Sequence, residues 1–434
     1  MRKFYILLVV ILTAKNSSYA QAGTGNFLYR CNEKLVEIIM EDLFTPPVAS
    51  RVQLYPNIAA YEVLCFKDKK LRSLAGQLKG LDRIDAPVKT VDLSLSAFIA
   101  FTAVARKLVY SEYLIDDFQK KEIRNWLSAF HNDTVLLENS IAFGRRSAAQ
   151  IIDWLKKDNY DYTRTLTRYV VVDSAGAWQP TSPDYANAIE PNWPYIRSLV
   201  FDSATMIKAI PALPYSEKKT SAFYKSAMKV YQQSVRADTT QHSIALFWDC
   251  NPNITRSAGH FTYFIHKVSP GGHWIRITGQ ALKNLNMDES RSAQVYTMVA
   301  IGLFEGFLCS WSDKYTYNSQ RPETYINKLI EPKWRPYIET PPFPEYPSAH
   351  SVISSTTATL LTALIHQPYA FNDSSEMYIN LPLRHFDSFR QASDEASVSR
   401  FYGGIHFMEA LNNGIEQGNR IGNYILQKLK LNQE

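Results

Sequence analysis

The chain has 434 residues, a formal net charge of +6, and 26 Tyr against 17 Gly. That length allows one large or two medium domains with ample core, and the residue balance suits a packed helical protein better than a turn-rich β sandwich. The charge is too mild to call for nucleic acid as a partner.

Residues 1–20 read as a processing signal. Arg2 and Lys3 precede the apolar run "FYILLVVILTA", and "SYA" ending at Ala20 supplies small residues for cleavage. The run is too short to span a bilayer comfortably. The expectation is therefore a secreted or periplasmic chain, residues 21–434, with no stable membrane anchor and a net charge of +3. Cys31, Cys65, Cys250 and Cys309 stand far apart, which leaves open both a Cys31–Cys65 disulfide and four buried thiols. No CxxC or HxxxH spacing occurs, so no zinc site is expected.

Apolar residues at i, i+3, i+4 and i+7 predict helices over 94–110, 117–130 and 134–156. Six prolines from Pro180 to Pro214 then mark a wrapping connector. Helices resume over 216–236, 254–268 and 272–286. The segment 289–316 is apolar nearly all round but contains Glu305, which makes it a central core helix rather than a membrane span. Further helices fit 349–365 and 405–430. The fold class expected is all-α, with helical bundles packed around 289–316. An N-terminal helical region (21–210) would brace a C-terminal region (211–434) that holds the candidate chemistry.

Three clusters carry that chemistry. In "KYTYNSQRP" (Lys314–Pro322) two cations stand seven residues apart, which on a helix is two turns and about 10.5 Å along one face. Pro322 biases Arg321 toward extended backbone and should end the helix before it. In "PPFPEYPSAHS" (341–351) prolines stiffen the approach to a helix start. There Ser348 is a good N-cap, Ala349 offers a first-turn amide, and His350 follows. In "SRFYGGIHF" (399–407) Arg400 adds a third cation, Gly403–Gly404 let backbone approach closely, and His406 opens the last helix. Each cluster alone has a bland reading: solvated cations, a capped helix, a glycine turn. Together they supply three cations for a multiply charged tetrahedral oxyanion, short-range donors, and two histidines for a covalent or coordinate bond and for acid–base work.

The order K-x6-RP, PS-x-H, SR-x5-H, over about 93 residues from Lys314 to His406, resembles the superfamily of type 2 phosphatidic-acid phosphatases and vanadium-dependent haloperoxidases. "GGHW" (271–274), "SWSDKYTYN" (310–318), "PPFPEYPS" (341–348) and "TPPVASRVQLYPNIAAYEVL" (45–64) look more like its soluble haloperoxidase branch. The resemblance implies that Lys314, Arg321, Ser348, the Ala349 amide and Arg400 hold the equatorial oxygens of vanadate or phosphate. It makes His406 the vanadium ligand, or the nucleophile toward phosphorus, and His350 the acid–base. Phe343 matches an aromatic position near the halide pocket.

Two positions depart from the family pattern. Ala349 replaces a glycine, at about 1 kcal/mol if the position needs positive φ. Ala410 stands where an aspartate would orient the histidine, so Glu409, three residues after His406, is the expected substitute. His273 reads as a core histidine packed beside Trp274, with a place behind the pocket as its other reading; His260 and His266 read as structural.

The leading functional reading is an exported enzyme that uses vanadate and hydrogen peroxide to oxidise halide. The same pocket permits an acid phosphatase that cleaves phosphate esters through phospho-His406, with His350 protonating the leaving group and no cofactor. A non-catalytic oxyanion-binding protein is the third reading, kept open by Ala349 and Ala410.

Overall fold

The computed structural model describes residues 26–252, 255–258, 260–264 and 266–432; the expected export signal, residues 1–20, lies outside them. Helices dominate the described residues. The N-terminal part holds α1 (Phe27–Glu41), α2 (Pro46–Lys67), α3 (Leu93–Leu108), α4 (Glu112–Ala129), α5 (Thr134–Leu155) and the short α6 (Tyr160–Thr165). The C-terminal part holds α7 (Ala222–Arg236), α8 (Thr239–Phe247), α9 (Pro270–Asn284), α10 (Glu289–Tyr317), α11 (Pro322–Leu329), α12 (Ala349–Ile365), α13 (Phe389–Tyr402) and α14 (Met408–Lys428). Many begin where a short polar side chain accepts a first-turn amide: Asp92, Asp133, Ser221, Asp238, Ser269, Asp288, Ser348 and Ser388. Such caps are worth about 1 kcal/mol each.

The helix expected over 254–268 is replaced by an antiparallel hairpin, β1 (Thr255–Ala258) with β2 (Phe261–Phe264), Arg256 opposite Tyr263. Thr255, Phe261, Thr262, Tyr263 and Phe264 are β-branched or aromatic and favour a pleated surface over a helix. A second hairpin pairs β3 (Phe371–Asp373) with β4 (Arg384–Phe386).

α10 is the axis of the fold. Every residue from Ser292 to Lys314 is buried, with α2 on one side and α12 on another. The helix is long and apolar enough to cross a membrane by length and composition, but here its surface is covered by protein. Its interior acid is accommodated: Glu305 accepts from the Leu199 and Val200 amides at 2.7 and 2.8 Å and from Ser198 Oγ. Those donors belong to the proline-rich connector, which carries no α-helix between α6 and α7. The connector also ties to α10 through Ala209 N–H to Asp313 and Trp311 Nε1–H to the Ile189 carbonyl. The main core draws residues from both parts of the chain.

α12 and α14 pack face to face with glycine between them. A Cβ at Gly414 would stand 2.8 Å from the Ser348 carbonyl, and one at Gly418 would collide with that of Val352. This close approach fixes the height of the first turn of α12, where Ser348 and His350 lie. All four cysteines are buried free thiols, so Cys31 and Cys65 are unbridged.

Candidate active site

The seven-residue spacing of Lys314 and Arg321 does not place them on one helical face. α10 ends at Tyr317, Asn318 caps it in the left-handed region, and Arg321 is extended (φ −80°, ψ 157°) ahead of Pro322. The two cations converge instead on the Phe343 ring, 5.1 and 5.0 Å from its centre. Trp311 packs on the same ring, with centroids 5.0 Å apart.

The proline-rich strap 341–347 owes its shape to these cations. Proline has no N–H, so the strap's carbonyls need outside donors. Lys314 Nζ donates to the carbonyls of Pro344, Glu345 and Pro347 at 2.9, 3.0 and 2.6 Å, and Arg321 Nε donates to that of Phe343. Lys314 is thereby fully bonded to backbone, where the sequence suggested bonds to an anion. Burial and the neighbouring Arg321 hold its pKa well below the ordinary value.

The strap delivers Ser348 to the start of α12. Ser348 N–H donates to the Ala410 carbonyl, while its Oγ accepts from the amide and hydroxyl of Ser351. Ala349 is the first helical residue and lies outside the left-handed region. Alanine is unstrained there, and its amide keeps the first-turn position that has no intrahelical acceptor.

His406 does not open the last helix. Gly404, at φ +79°, turns the chain, Phe407 takes the cap position, and α14 starts at Met408. The imidazole is held at both nitrogens. Nδ1 lies 2.8 Å from Glu345 Oε1 and Nε2 3.0 Å from Arg321 Nη1. A guanidinium only donates, so Nε2 must be the acceptor and Nδ1 carries the hydrogen that Glu345 receives. Burial and then the charges of Arg321, Lys314 and Arg400 keep this ring neutral, well below its usual pKa. The result is an unprotonated Nε2, its lone pair accepting from Arg321 Nη1, on a ring fixed from behind.

That backing group is not the one expected. Glu409 accepts from Ser226 Oγ, whereas Glu345 takes both His406 Nδ1–H and the Phe407 amide at 3.0 Å. Burial pushes Glu345 up to about 7 against the pull of Arg321 and Lys314. The signal was present, since Glu345 is the single acid in "PPFPEYPSAHS", but nothing local says that it meets a histidine 61 positions away.

Arg400 completes the set. Its Nε donates to Ser399 Oγ and its Nη2 to the Ala245 carbonyl, and it lines one cavity with Ala349, His350, Phe343, Trp311 and His406. His350 is held far toward neutrality by burial and by the charges of Arg400 and His273. His273 lies behind the cavity wall, stacked on Trp248 with ring centroids 4.5 Å apart. His266, which hydrogen-bonds the Met40 carbonyl, and the exposed His260 stand apart from the site.

Lys314, Arg321 and Arg400 are at most 5% exposed, and none forms an ion pair among the described residues. Arg321 Nη2 and His350 Nε2 are buried without a hydrogen-bond partner. Buried donors and charge left unanswered are costly, and a tetrahedral oxyanion would satisfy them. The arrangement can bind such an anion, coordinate or attack its central atom through His406 Nε2, and move a proton at His350.

Comparison with known proteins agrees with this chemistry. A family model described as the VCPO second helical-bundle domain matches residues 328–433. The structure of the first bacterial vanadium-dependent iodoperoxidase superposes with a TM-score of 0.89 at 38% identity, covering 94% of this chain and 97% of that one. A holo-type bacterial vanadium-dependent chloroperoxidase shares the fold at 14% identity, with a TM-score of 0.68 over 93% of this chain and 97% of that one. Its apo-type counterpart does so at 15% and 0.65, over 88% and 94%. No curated protein matches. With Arg400 and a neutral His406 lining one cavity, Arg321 and Lys314 buried against its His406 and Phe343, and a 38% identical relative aligned along nearly its whole length, the chain belongs to the vanadium-dependent haloperoxidase superfamily of enzymes.

Proposed function

We propose that the protein is an exported, vanadate-dependent peroxidase that oxidises iodide with hydrogen peroxide. The single observation that carries the cofactor assignment is the unprotonated His406 Nε2, set among three buried cations, with Arg321 Nη1 as its donor and Arg321 Nη2 left unpartnered. Iodide is suggested by the iodoperoxidase relative. Export rests on Arg2, Lys3, the apolar run over 4–14 and the small-residue site ending at Ala20.

In this reading His406 would hold vanadium through Nε2, with Glu345 keeping Nδ1 protonated and the ring turned inward. Arg321, Arg400, the Ser348 hydroxyl and the Ala349 amide would hold the oxygens. Lys314 would contribute charge, its N–H groups staying on the strap. Bound vanadate supplies a Lewis acid that polarises hydrogen peroxide for attack by halide. The neutral imidazole of His350 would accept the proton that peroxide gives up. Trp311 and Phe343 keep the cavity apolar around those charges, which strengthens each interaction.

A second reading rests on the same lone pair, which could attack phosphorus and make the vanadate-free protein a phosphatase. Paired assays on residues 21–434 separate the two. Iodide oxidation that requires both vanadate and His406, with no hydrolysis of a chromogenic phosphate ester, supports the peroxidase. Hydrolysis without vanadate, blocked when vanadate is added, replaces that reading with the phosphatase.

A further inference from the structure

Behind the wall of the oxyanion cavity, four acid, thiol and imidazole groups from three segments meet in the interior. Cys250 follows α8, His273 lies in the first turn of α9, Asp373 ends β3, and Glu376 caps the 3-10 turn Met377–Ile379. Their exposures are 3%, 0%, 0% and 3%. Asp373 Oδ2 lies 2.7 Å from His273 Nε2 and receives its hydrogen. That contact leaves Nδ1 to face Cys250 Sγ at 3.3 Å and Glu376 Oε1 at 3.2 Å.

Two features set this apart from an ordinary buried polar network. Glu376 Oε1 has no partner in hydrogen-bond geometry, its 3.2 Å approach to His273 Nδ1 being an ion-pair contact only, which leaves a buried carboxylate oxygen under-satisfied. The thiol, imidazole and carboxylate donor atoms also all lie within 4.8 Å of one another. Bonds of about 2.0–2.3 Å to nitrogen, oxygen and sulfur around a tetrahedral zinc ion put neighbouring donors roughly 3.3–3.6 Å apart. The observed 3.3 and 3.2 Å are close to those edges. Asp373 stands where an outer carboxylate fixes the tautomer of a metal-bound histidine.

We propose that Cys250 Sγ, His273 Nδ1 and Glu376 Oε1 form a buried divalent-cation site, with zinc the ion that best fits a sulfur, nitrogen and oxygen donor set. The ion ties the segment after α8 to α9 and to the turn after β3, along the wall that Cys250 shares with the oxyanion cavity. Binding releases to solvent both the thiol proton of Cys250 and the Nδ1 proton of the His273 imidazolium, and leaves thiolate–metal and imidazole–metal bonds; nothing is oxidised or reduced. The site stands independently of the halide chemistry. It escapes a spacing search because its ligands sit at positions 250, 273 and 376, with no local motif.

The test uses the full chain without vanadate, stripped with a chelator and dialysed against micromolar zinc, then analysed for bound metal. One zinc per chain is expected. Cobalt(II) in its place should give a thiolate-to-cobalt charge-transfer band that is absent in Cys250→Ser and unchanged in Cys309→Ser, a buried thiol elsewhere. Glu376→Gln should bind zinc at least tenfold more weakly, and Asp373→Asn about 10–100-fold more weakly. Wild-type protein that takes up no stoichiometric zinc overturns the proposal. So does binding that is equal in Cys250→Ser and Glu376→Gln. Either result would make the cluster a metal-free imidazolium held between Asp373 and Glu376.

Discussion

Replacing Glu345 with glutamine tests whether His406 is held from behind by the strap or by its own helix. Glu345 Oε1 receives His406 Nδ1–H and the Phe407 amide, at 2.8 and 3.0 Å. Glutamine keeps the shape and one carbonyl oxygen but loses the charge. Hydrogen bonds to a charged group contribute about 1.5–3 kcal/mol, and neutral ones about 0.5–1.5, so the pair should weaken by about 1–3 kcal/mol. Removing the outer partner of a metal-bound histidine typically lowers affinity about 10–100-fold. Vanadate titrated calorimetrically into vanadate-free Glu345→Gln should show a loss of that size, with the melting curve confirming a folded protein. Glu409→Gln should change affinity by about twofold at most, as a substitution away from the ligand does. Equal losses in the two variants, or a larger one at Glu409, would refute the reasoning.

Gly418→Ala should gain about 1 kcal/mol of helix propensity and lose about 1–3 to overpacking against the Val352 carbonyl. Chemical denaturation should therefore show a less stable protein, and calorimetry a weaker vanadate affinity, because α12 carries Ser348 and His350. Saturating vanadate at 100 times its Kd should stabilise the fold by about 2.7 kcal/mol, read as a shift in the melting midpoint that Arg321→Ala abolishes. Burial raises Glu305 from 4.5 to about 7, so the folded state holds a proton that the unfolded chain has released. Its contribution is fully present below pH 4.5 and is lost as pH rises toward 7, by about 3 kcal/mol at 1.36 per unit. Denaturation of wild type and Glu305→Gln across that window should show the slope only in the wild type.

The parts of the site that follow local rules were legible. Pro322 makes Arg321 extended, and Ser348 caps the helix that its spacing announces. The charged residue inside an apolar run marked α10 as a core helix. What stayed hidden depends on where loops travel. Lys314 and Arg321 meet because the strap brings Phe343 and its carbonyls within reach of both, not because of their spacing along a helix. Glu345 was overlooked for Glu409 because i+3 geometry is visible in a sequence, whereas an acid reaching across 61 residues is not. The hairpin β1–β2 was misread because periodicity was weighed above the β-branched and aromatic composition.

Lys314 sits in the strap much as a potassium ion sits in a crown ether, its three N–H bonds filled by three peptide oxygens. The same atom sets both the potential of the cavity and the curvature of the segment that bounds it. Charge and shape therefore change together here. A substitution meant only to soften the pull on an anion would also release Pro344, Glu345 and Pro347, and with Glu345 the ring of His406. Selectivity among anions can be adjusted more freely at Arg400, whose bonds go to Ser399 and to the Ala245 carbonyl and leave the strap untouched.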